Sequence, residues 1–354
     1  MKKKLNRTFI NNAITYAMVI IAFVVLYSMQ QAGMLSRTIK GQLIPVCVWI
    51  VMAVSLNLTV GISGELSLGH AGFMCVGAFV GAVFSGVFKA TMPNETLRLI
   101  LSMLVGGIAA GITGVLVGVP VLRLRGDYLA IVTLAFGEII RNVLNCLYVS
   151  MDGGALFFGF SNPSLPGKLI VNGPQGVQGI SRISTFPMGF ALIIVTLIVV
   201  LNMTNSRAGR AIMALRDNRI AAESVGISAT KYKLMAFVTS AALAGMAGAL
   251  YAMNYSTVTG AKFKFDTSIL VLVFVVLGGI GNIRGSIIAA TVLTILPELL
   301  REFSDYRMLI YAVVLIVVML ATNSPAFKQF LSVVKEKIVG LFAKKNREGD
   351  AANE

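Results

Sequence analysis

Apolar runs of about the length that crosses a bilayer recur along this chain from one end to the other, and that recurrence limits the available folds more than any motif does. Spanning the hydrocarbon core takes about 20 predominantly apolar residues per helix, and every backbone polar group at that depth needs an internal partner. The runs Ala13–Met29, Leu43–Val60, Ala71–Phe88, Leu99–Leu122, Tyr128–Val149, Pro187–Met203, Met235–Met253, Thr267–Gly279, Ile287–Leu300 and Met308–Ala321 predict about ten spans. Thr267–Gly279 and Ile287–Leu300 are short enough to be half-helices. The expected fold is therefore an all-α polytopic membrane protein with pseudo-symmetric halves. Its 354 residues are 56% hydrophobic and 13% charged, where a soluble domain would carry roughly 25% charged residues.

The charge distribution orients the spans. With the N-terminus inside, the inner segments hold four Lys/Arg in Lys2–Arg7, two in Arg123–Arg125, six in Arg207–Lys233, one at Arg284 and six in Lys328–Arg347. The opposite orientation inverts that bias, so both termini are expected in the cytoplasm. Basic residues gathered at span ends read as a membrane pattern, and no nucleic-acid partner is expected. The opening "MKKKLNR" before Ala13–Met29 has the charge order of a signal peptide. No small-x-small cleavage site follows, and an uncleaved first span is expected. The three cysteines, Cys47, Cys75 and Cys146, sit in or beside apolar runs without CxxC spacing, so neither a disulfide framework nor a metal site is expected.

Two connections exceed a simple turn. Ser150–Phe186, assigned to the outside, is rich in Gly, Pro, Asn and Ser, the composition of an ordered surface loop. Thr204–Leu234, inside, is instead rich in helix formers. Its "GRAIMALRDNRIAAESVGI" predicts two short amphipathic helices, a break at Asp217-Asn218, and Gly226 as the cap of the second. Residues 1–323 are thus expected to form the transmembrane domain, with 204–234 as a helical inner loop. Residues 324–354 form a basic tail whose Phe327, Phe330, Leu331, Val334, Ile338, Leu341 and Phe342 recur at helical spacing, the pattern of a helix lying on the membrane surface.

Three interruptions place polar or glycine-rich backbone among the apolar runs. The first is Ser63–Gly72, "SGELSLGHAG", with Glu65, Ser67, Gly69, Gly72 and the chain's single histidine, His70. Irregular backbone at membrane depth survives only in a protein interior or a water-filled cavity. Ser67 is placed to cap the helix that resumes, and a helix N-terminus facing a cavity favours anions. This is a broken helix lining a translocation pathway, or a tight cytoplasmic turn with a capped helix. The second is "GDYLAIVTLAFGEIIRNVLN", where Glu138 and Arg141 share a helical face. They read as an intramembrane functional pair or as an ion pair reaching the outer headgroups. The third is "VVLGGIGNIRGS", where Gly278 and Gly279 head a glycine pattern like the first interruption. No GxxxxGK[ST] loop is present. One histidine and sparse acids do not support a catalytic cluster either, so no enzyme activity, catalytic residue or cofactor is expected.

The segments "SLNLTVGISGELSLGHAGFMCVGAFVGA", "RGDYLAIVTLAFGEIIR", "SRAGRAIMALRDNRIAAESVGIS" and "LGGIGNIRGSIIAA", in that order between about Leu43 and Leu300, resemble the M-type permease subunit of bacterial branched-chain amino acid ABC importers. The resemblance implies a complex in the bacterial cytoplasmic membrane. Its other members would be a second homologous permease, two ATP-binding subunits and an extracytoplasmic solute-binding protein. It also implies that the helix pair Ala211–Gly226 docks on an ATPase. Ala221 and Ala222 would allow close approach there, and Arg216, Asp217 and Glu223 would offer charged contacts, with Gly226 ending the helix. Two alternatives remain open. One is a proton-coupled secondary transporter using Glu65, His70, Glu138 and Arg141 as a relay. The other is an ABC permease for urea, a sugar or a nucleoside.

Overall fold

The computed structural model describes residues 2–124, 126–152, 155–160 and 166–300, with scattered positions from 306 to 317 and side chains from residue 12 onward. The chain divides into Met1–Ile295 and Leu296–Glu354. Of the second unit, beyond residue 300, only residue 306 and helical stretches at 309–310, 312–313 and 315–317 are described. Most of the expected span Met308–Ala321 and all of the tail 324–354 therefore lie outside the described residues, as does Arg125.

The first unit is a helical bundle. In order come α1 (Lys2–Gln31), α2 (Arg37–Asn57), a π turn (Leu58–Ile62), α3 (His70–Val87), α4 (Glu95–Val121) and α5 (Asp127–Asn145). A strand-forming region separates these from α6 (Phe186–Asn205), α7 (Arg207–Asp217), α8 (Arg219–Ser224), α9 (Ala229–Ala252), α10 (Phe265–Gly278) and α11 (Ile283–Leu299). Among the described residues, six helices are long and apolar enough to cross a membrane: α1, α2 with its π turn, α3, α4, α6 and α9. The chain is a multi-pass membrane protein. The remaining expected spans are less regular. Helix α5 carries Asp127, Glu138 and Arg141, α10 has only 14 residues, and α11 has 17.

Helices α3, α4 and α9 pack through glycine and alanine instead of large side chains. A Cβ at Gly77 would collide with the backbone of Gly245 on α9, one at Gly106 with the backbone of Gly77, and one at Gly248 with the backbone of Met74. Lipid tails are as apolar as leucine, so helices in a membrane gain by close packing of small residues, not by hiding apolar surface. Helix α2 sits beside this trio with Val48, Val51, Met52, Ala53, Val54 and Leu56 fully buried. Helix α1 is peripheral and meets α6 through Phe23, whose ring stacks on Phe190 with centroids 3.9 Å apart.

One end of the unit carries a five-stranded antiparallel sheet in the order β2-β1-β3-β4-β5. Its strands are β1 (Leu147–Asp152), β2 (Ala155–Phe160), β3 (Lys168–Asn172), β4 (Val177–Gln178) and β5 (Thr257–Val258). Val149 faces Val171, Val171 faces Val177 and Val177 faces Val258 in register. All four valines are buried, so a single β-branched row forms the sheet's inner face. Within the loop expected across Ser150–Phe186, residues 150–152, 155–160, 168–172 and 177–178 are therefore held by strand pairing. The span expected over Tyr128–Val149 ends at Asn145, because Leu147, Tyr148 and Val149 pair with β2 and β3. The opposite end carries α7 and α8. The chain crosses between the ends through α6, which leaves the sheet region for α7, and α9, which runs from α8 to β5.

A leucine at Gly77 must push α3 away from backbone on α9. Gly77→Leu is expected to cost roughly 1–3 kcal/mol, in line with other overpacked interiors. The purified protein should lose thermal stability in detergent, followed by size-exclusion chromatography after heating. Gly41→Ala, where a Cβ meets nothing within 4 Å, should leave the melting profile unchanged or slightly higher.

Candidate functional site

The expected pathway residues gather where α2 breaks. Helix α2 ends in the π turn, Gly64 follows with φ 74°, and the chain runs without regular structure to His70. Much of this interruption is protein interior, although Gly64 and Leu66 are exposed. Ser63, Ser67 and His70 are each no more than 2% exposed. Its glycines allow backbone to meet backbone. A Cβ at Gly69 would strike the carbonyl of Thr133, and one at Gly72 would sit against the backbone of Gly137, both on α5. The Leu68 N–H donates to Thr133 Oγ1 at 3.0 Å, which satisfies one donor that irregular backbone would otherwise leave orphaned.

Ser67 does not cap the resumed helix. The N-cap of α3 is Gly69, without a side-chain bond, and the Ser67 hydroxyl is buried with no hydrogen-bond partner among the described residues. The first turn of α3 is instead held from outside, by the Ala71 N–H donating to Ser268 Oγ of α10 at 3.0 Å. The reason is spatial: the loop enters α3 against α5 and α10, so the nearest acceptor is a neighbour's hydroxyl.

The ionisable residues do not form a relay. Glu65 pairs with Lys233 in the first turns of α9, both side chains being nearly buried. His70 Nε2 lies 2.8 Å from Ser55 Oγ. The Ser55 hydroxyl also bonds the Met52 carbonyl at 2.9 Å, so the serine proton is committed there and Nε2 is left to donate. Glu138 pairs with Arg141 at 2.7 Å, and its second oxygen accepts the Phe265 N–H at the start of α10 at 3.1 Å. A carboxylate at a helix N-terminus complements the helix dipole. A cavity of about 10 Å³, room for roughly one water, lies among Leu68, Gly72, Gly137, Glu138, Phe265 and Ser268.

The third interruption lies against the first. Between α10 and α11 the chain turns through Gly279 (φ 90°) and Gly281 (φ 82°). A Cβ at Gly278 would strike the backbone of Gly285 and Ser286. Gly281 meets the π turn, where a Cβ on Gly61 would collide with its backbone nitrogen. Two glycine-rich breaks from distant parts of the sequence thus share one interface.

The helix pair expected over 204–234 forms as α7 and α8. Asn218 separates them and its side chain accepts the Ala221 N–H at 3.1 Å as the N-cap of α8. Gly226, at φ 85°, ends α8, and the Ile227 N–H then reaches the Ala222 carbonyl at 3.1 Å. The outward face differs from the expected one. Ala222 is 5% exposed and packs with Leu215 and Ala229 in a small core, while Ala221 and Glu223 are exposed. Ile220 at 81% and Val225 at 75% exposure are the large apolar groups that point away. Arg216 and Asp217 form an exposed ion pair at 2.9 Å. Arg216 also turns back to donate to the Gly61 carbonyl at 3.0 Å. Lys233 and Asn57 carry much of this architecture and were not singled out by sequence pattern. Their only signal is chemical, a polar group set in or beside an apolar run.

Removing one member of the Glu65–Lys233 pair leaves a nearly buried charge alone. Lys233→Met is expected to cost roughly 1–3 kcal/mol of stability, less than a fully buried pair because each side chain keeps some solvent. The double variant Lys233→Met with Glu65→Gln should recover most of that loss in a double-mutant cycle on detergent melting temperatures.

Residues 38–321 match the family described as branched-chain amino acid transport system / permease component. The chain is 33% identical over 307 residues to the high-affinity branched-chain amino acid transport system permease protein LivM of Salmonella typhimurium, and equally to that of Escherichia coli K12. Each alignment covers 77% of this chain and 66% of the relative, so the chain spans just under two thirds of their length. It is 28% identical over 284 residues to the ribose import permease protein RbsC of Escherichia coli K12, covering 77% of this chain and 81% of that one. No solved structure matches. The family match extends over most of the chain, and it contains the π turn, both glycine-rich breaks and the α7–α8 pair: this chain belongs to the branched-chain amino acid transport system permease family.

Proposed function

We propose that this chain is the non-catalytic, membrane-spanning permease subunit of an ATP-binding-cassette importer that moves branched-chain amino acids inward across the cytoplasmic membrane. Its partners would be a second homologous permease, two ATP-binding subunits that hydrolyse the ATP, and an extracytoplasmic solute-binding protein. The observation that carries the reading is the α7–α8 pair. It presents Ile220 and Val225 outward while Arg216 at the end of α7 donates to Gly61 in the π turn. Lys233, early in the α9 helix that follows the pair, holds Glu65 of the adjoining interruption. A short, capped hairpin with exposed apolar knobs suits a groove on a partner, since truncation at such buried anchors dominates interface energetics. Its inward contacts give a docked partner a mechanical route into the membrane domain. The cargo follows the relatives named for branched-chain amino acids. A ribose-named relative shares the scaffold at lower identity.

The orientation in this reading has α7, α8 and both termini in the cytoplasm and the sheet outside, following the distribution of basic residues. Single cysteines at Asn218 and Asn172, in a chain freed of Cys47, Cys75 and Cys146, test it in intact cells. An impermeant thiol reagent should label the cysteine at 172 and spare the one at 218, and the reverse pattern would invert the topology.

Docking is tested with Ile220→Asp and Val225→Asp, whose exposure leaves the fold intact. Each should lower copurification of the ATP-binding subunits by at least about tenfold while the permease accumulates normally. Leucine, isoleucine and valine uptake should fall in parallel. Unchanged copurification with both substitutions would remove the docking role. Uptake of ribose but of no branched-chain amino acid would reassign the cargo and leave the coupling reading in place.

A further inference from the structure

Polar contacts from two directions meet at one five-residue segment, the π turn Leu58–Ile62, and at Asn57 just before it. On one side, Arg216 at the end of α7 donates to the Gly61 carbonyl at 3.0 Å, with its remaining nitrogens held by Asp217 at 2.9 and 3.0 Å. On the other side stands Asn57, the last residue of α2 and fully buried. Its Nδ2 donates to Ser286 Oγ in the first turn of α11 at 2.9 Å, and its Oδ1 accepts the Gly281 N–H at 2.9 Å. A buried amide in a membrane span is costly unless both ends are used. Here both ends bond across the turn that joins α10 to α11. Gly61 lies between these two sets of contacts without a side chain. A Cβ there would overlap Asn57 Oδ1 and the Gly281 backbone.

The segment between the two clamps is the least regular part of α2. A π turn holds one more residue than an α-helical turn and is found mostly as a short insertion at functional sites. Its hydrogen bonds run five and six residues back, from the Ser63 N–H to the Leu58 carbonyl and from the Glu65 N–H to the Thr59 carbonyl, each at 3.1 Å. Such an insertion has a ready alternative, a return to α-helical register, and two discrete packings are what converts a small shift into a switch. A displacement of α7 acts on the Gly61 carbonyl through Arg216. Asn57 then delivers it to the α10–α11 break.

We propose that Asn57 and Arg216 are the positioning residues that make the two helix breaks move as one when the α7–α8 pair shifts, with the π turn as the moving part. This rests on the coupling role proposed above and names the residues through which it acts inside the membrane domain.

The test uses the complete complex of permease, ATP-binding subunits and solute-binding protein in proteoliposomes, measuring amino acid transported per ATP hydrolysed. Asn57 is fully buried and forms no part of the exposed face of α8, so with Asn57→Ala the ATP-binding subunits should copurify as with the unaltered chain. The transport-to-hydrolysis ratio should fall about tenfold, within the range by which residues between two sites alter coupling. Arg216→Ala should lower the ratio similarly, Arg216→Lys should restore part of it, and Asn57→Ala with Arg216→Ala should be no worse than either alone. If Asn57→Ala does not accumulate, Ser286→Ala, which deletes one buried hydroxyl, carries the same expectation at about threefold. An unchanged ratio in Asn57→Ala or Ser286→Ala, or losses that multiply in the double variant, would overturn the proposal. Failure of the unaltered permease to copurify ATP-binding subunits would instead overturn the importer reading on which it stands.

Discussion

A helix inside a bilayer can break only where neighbouring protein groups or the water of a cavity take over its backbone hydrogen bonds, and this chain is organised around where its protein replacements are found. The interruption after α2 is closed by Thr133, Arg216 and contacts within its own turn. The start of α3 borrows Ser268, and the start of α10 borrows Glu138. The break before α11 borrows Asn57. Each borrowed side chain lies on a helix other than the break it serves, Thr133 and Glu138 both on α5, so each break depends on its neighbours for its hydrogen bonds. Irregular segments that are weak points in most proteins act here as the joints between helices.

The close packing of α3, α4 and α9 makes those joints reachable. Glycine against glycine lets backbones approach, and that brings short side chains such as Thr133, Ser240 and Ser268 within bonding distance of neighbouring helices. Ser240 Oγ on α9 reaches the Ser55 carbonyl on α2, so even the central helix is bonded laterally. Larger residues at the glycine positions would separate the helices and strip these bonds away together.

Much of this was legible in the sequence, for reasons that are local. Apolar runs announced the spans because hydrocarbon thickness sets their length. Asn218 and Gly226 announced the ends of α8 because caps are read from adjacent residues. Gly69 and Gly278 marked interruptions of apolar runs, although not what would pack against them. The misreadings concern packing partners that a local pattern does not identify. Ser67 has the right chemistry for a cap, but its helix starts against another helix. Ala222 has the right size for a docking face, yet it turns inward because Leu215 and Ala229 give it a small core. Lys233 was legible only as a positive-inside charge, since nothing local shows that Glu65 lies across from it. The strands were hidden because four of their valines each belong to a short segment and become a row only when the sheet assembles.

The sheet has a mechanical consequence. β5, only two residues long, joins the connection between α9 and α10 to the sheet, while Glu138 holds the first residue of α10. The other end of α10 finishes in glycines. A rod anchored at one end and jointed at the other pivots in preference to sliding. At about 1.5 Å per residue, the 14 residues of α10 make an arm of roughly 21 Å. A tilt of about 10° at the anchored end would sweep the glycine end through roughly 3.7 Å, between the rise of two and of three helical residues. The sheet and Glu138 therefore fix the start of α10, and any tilt of that helix would be felt most at the glycines of its other end.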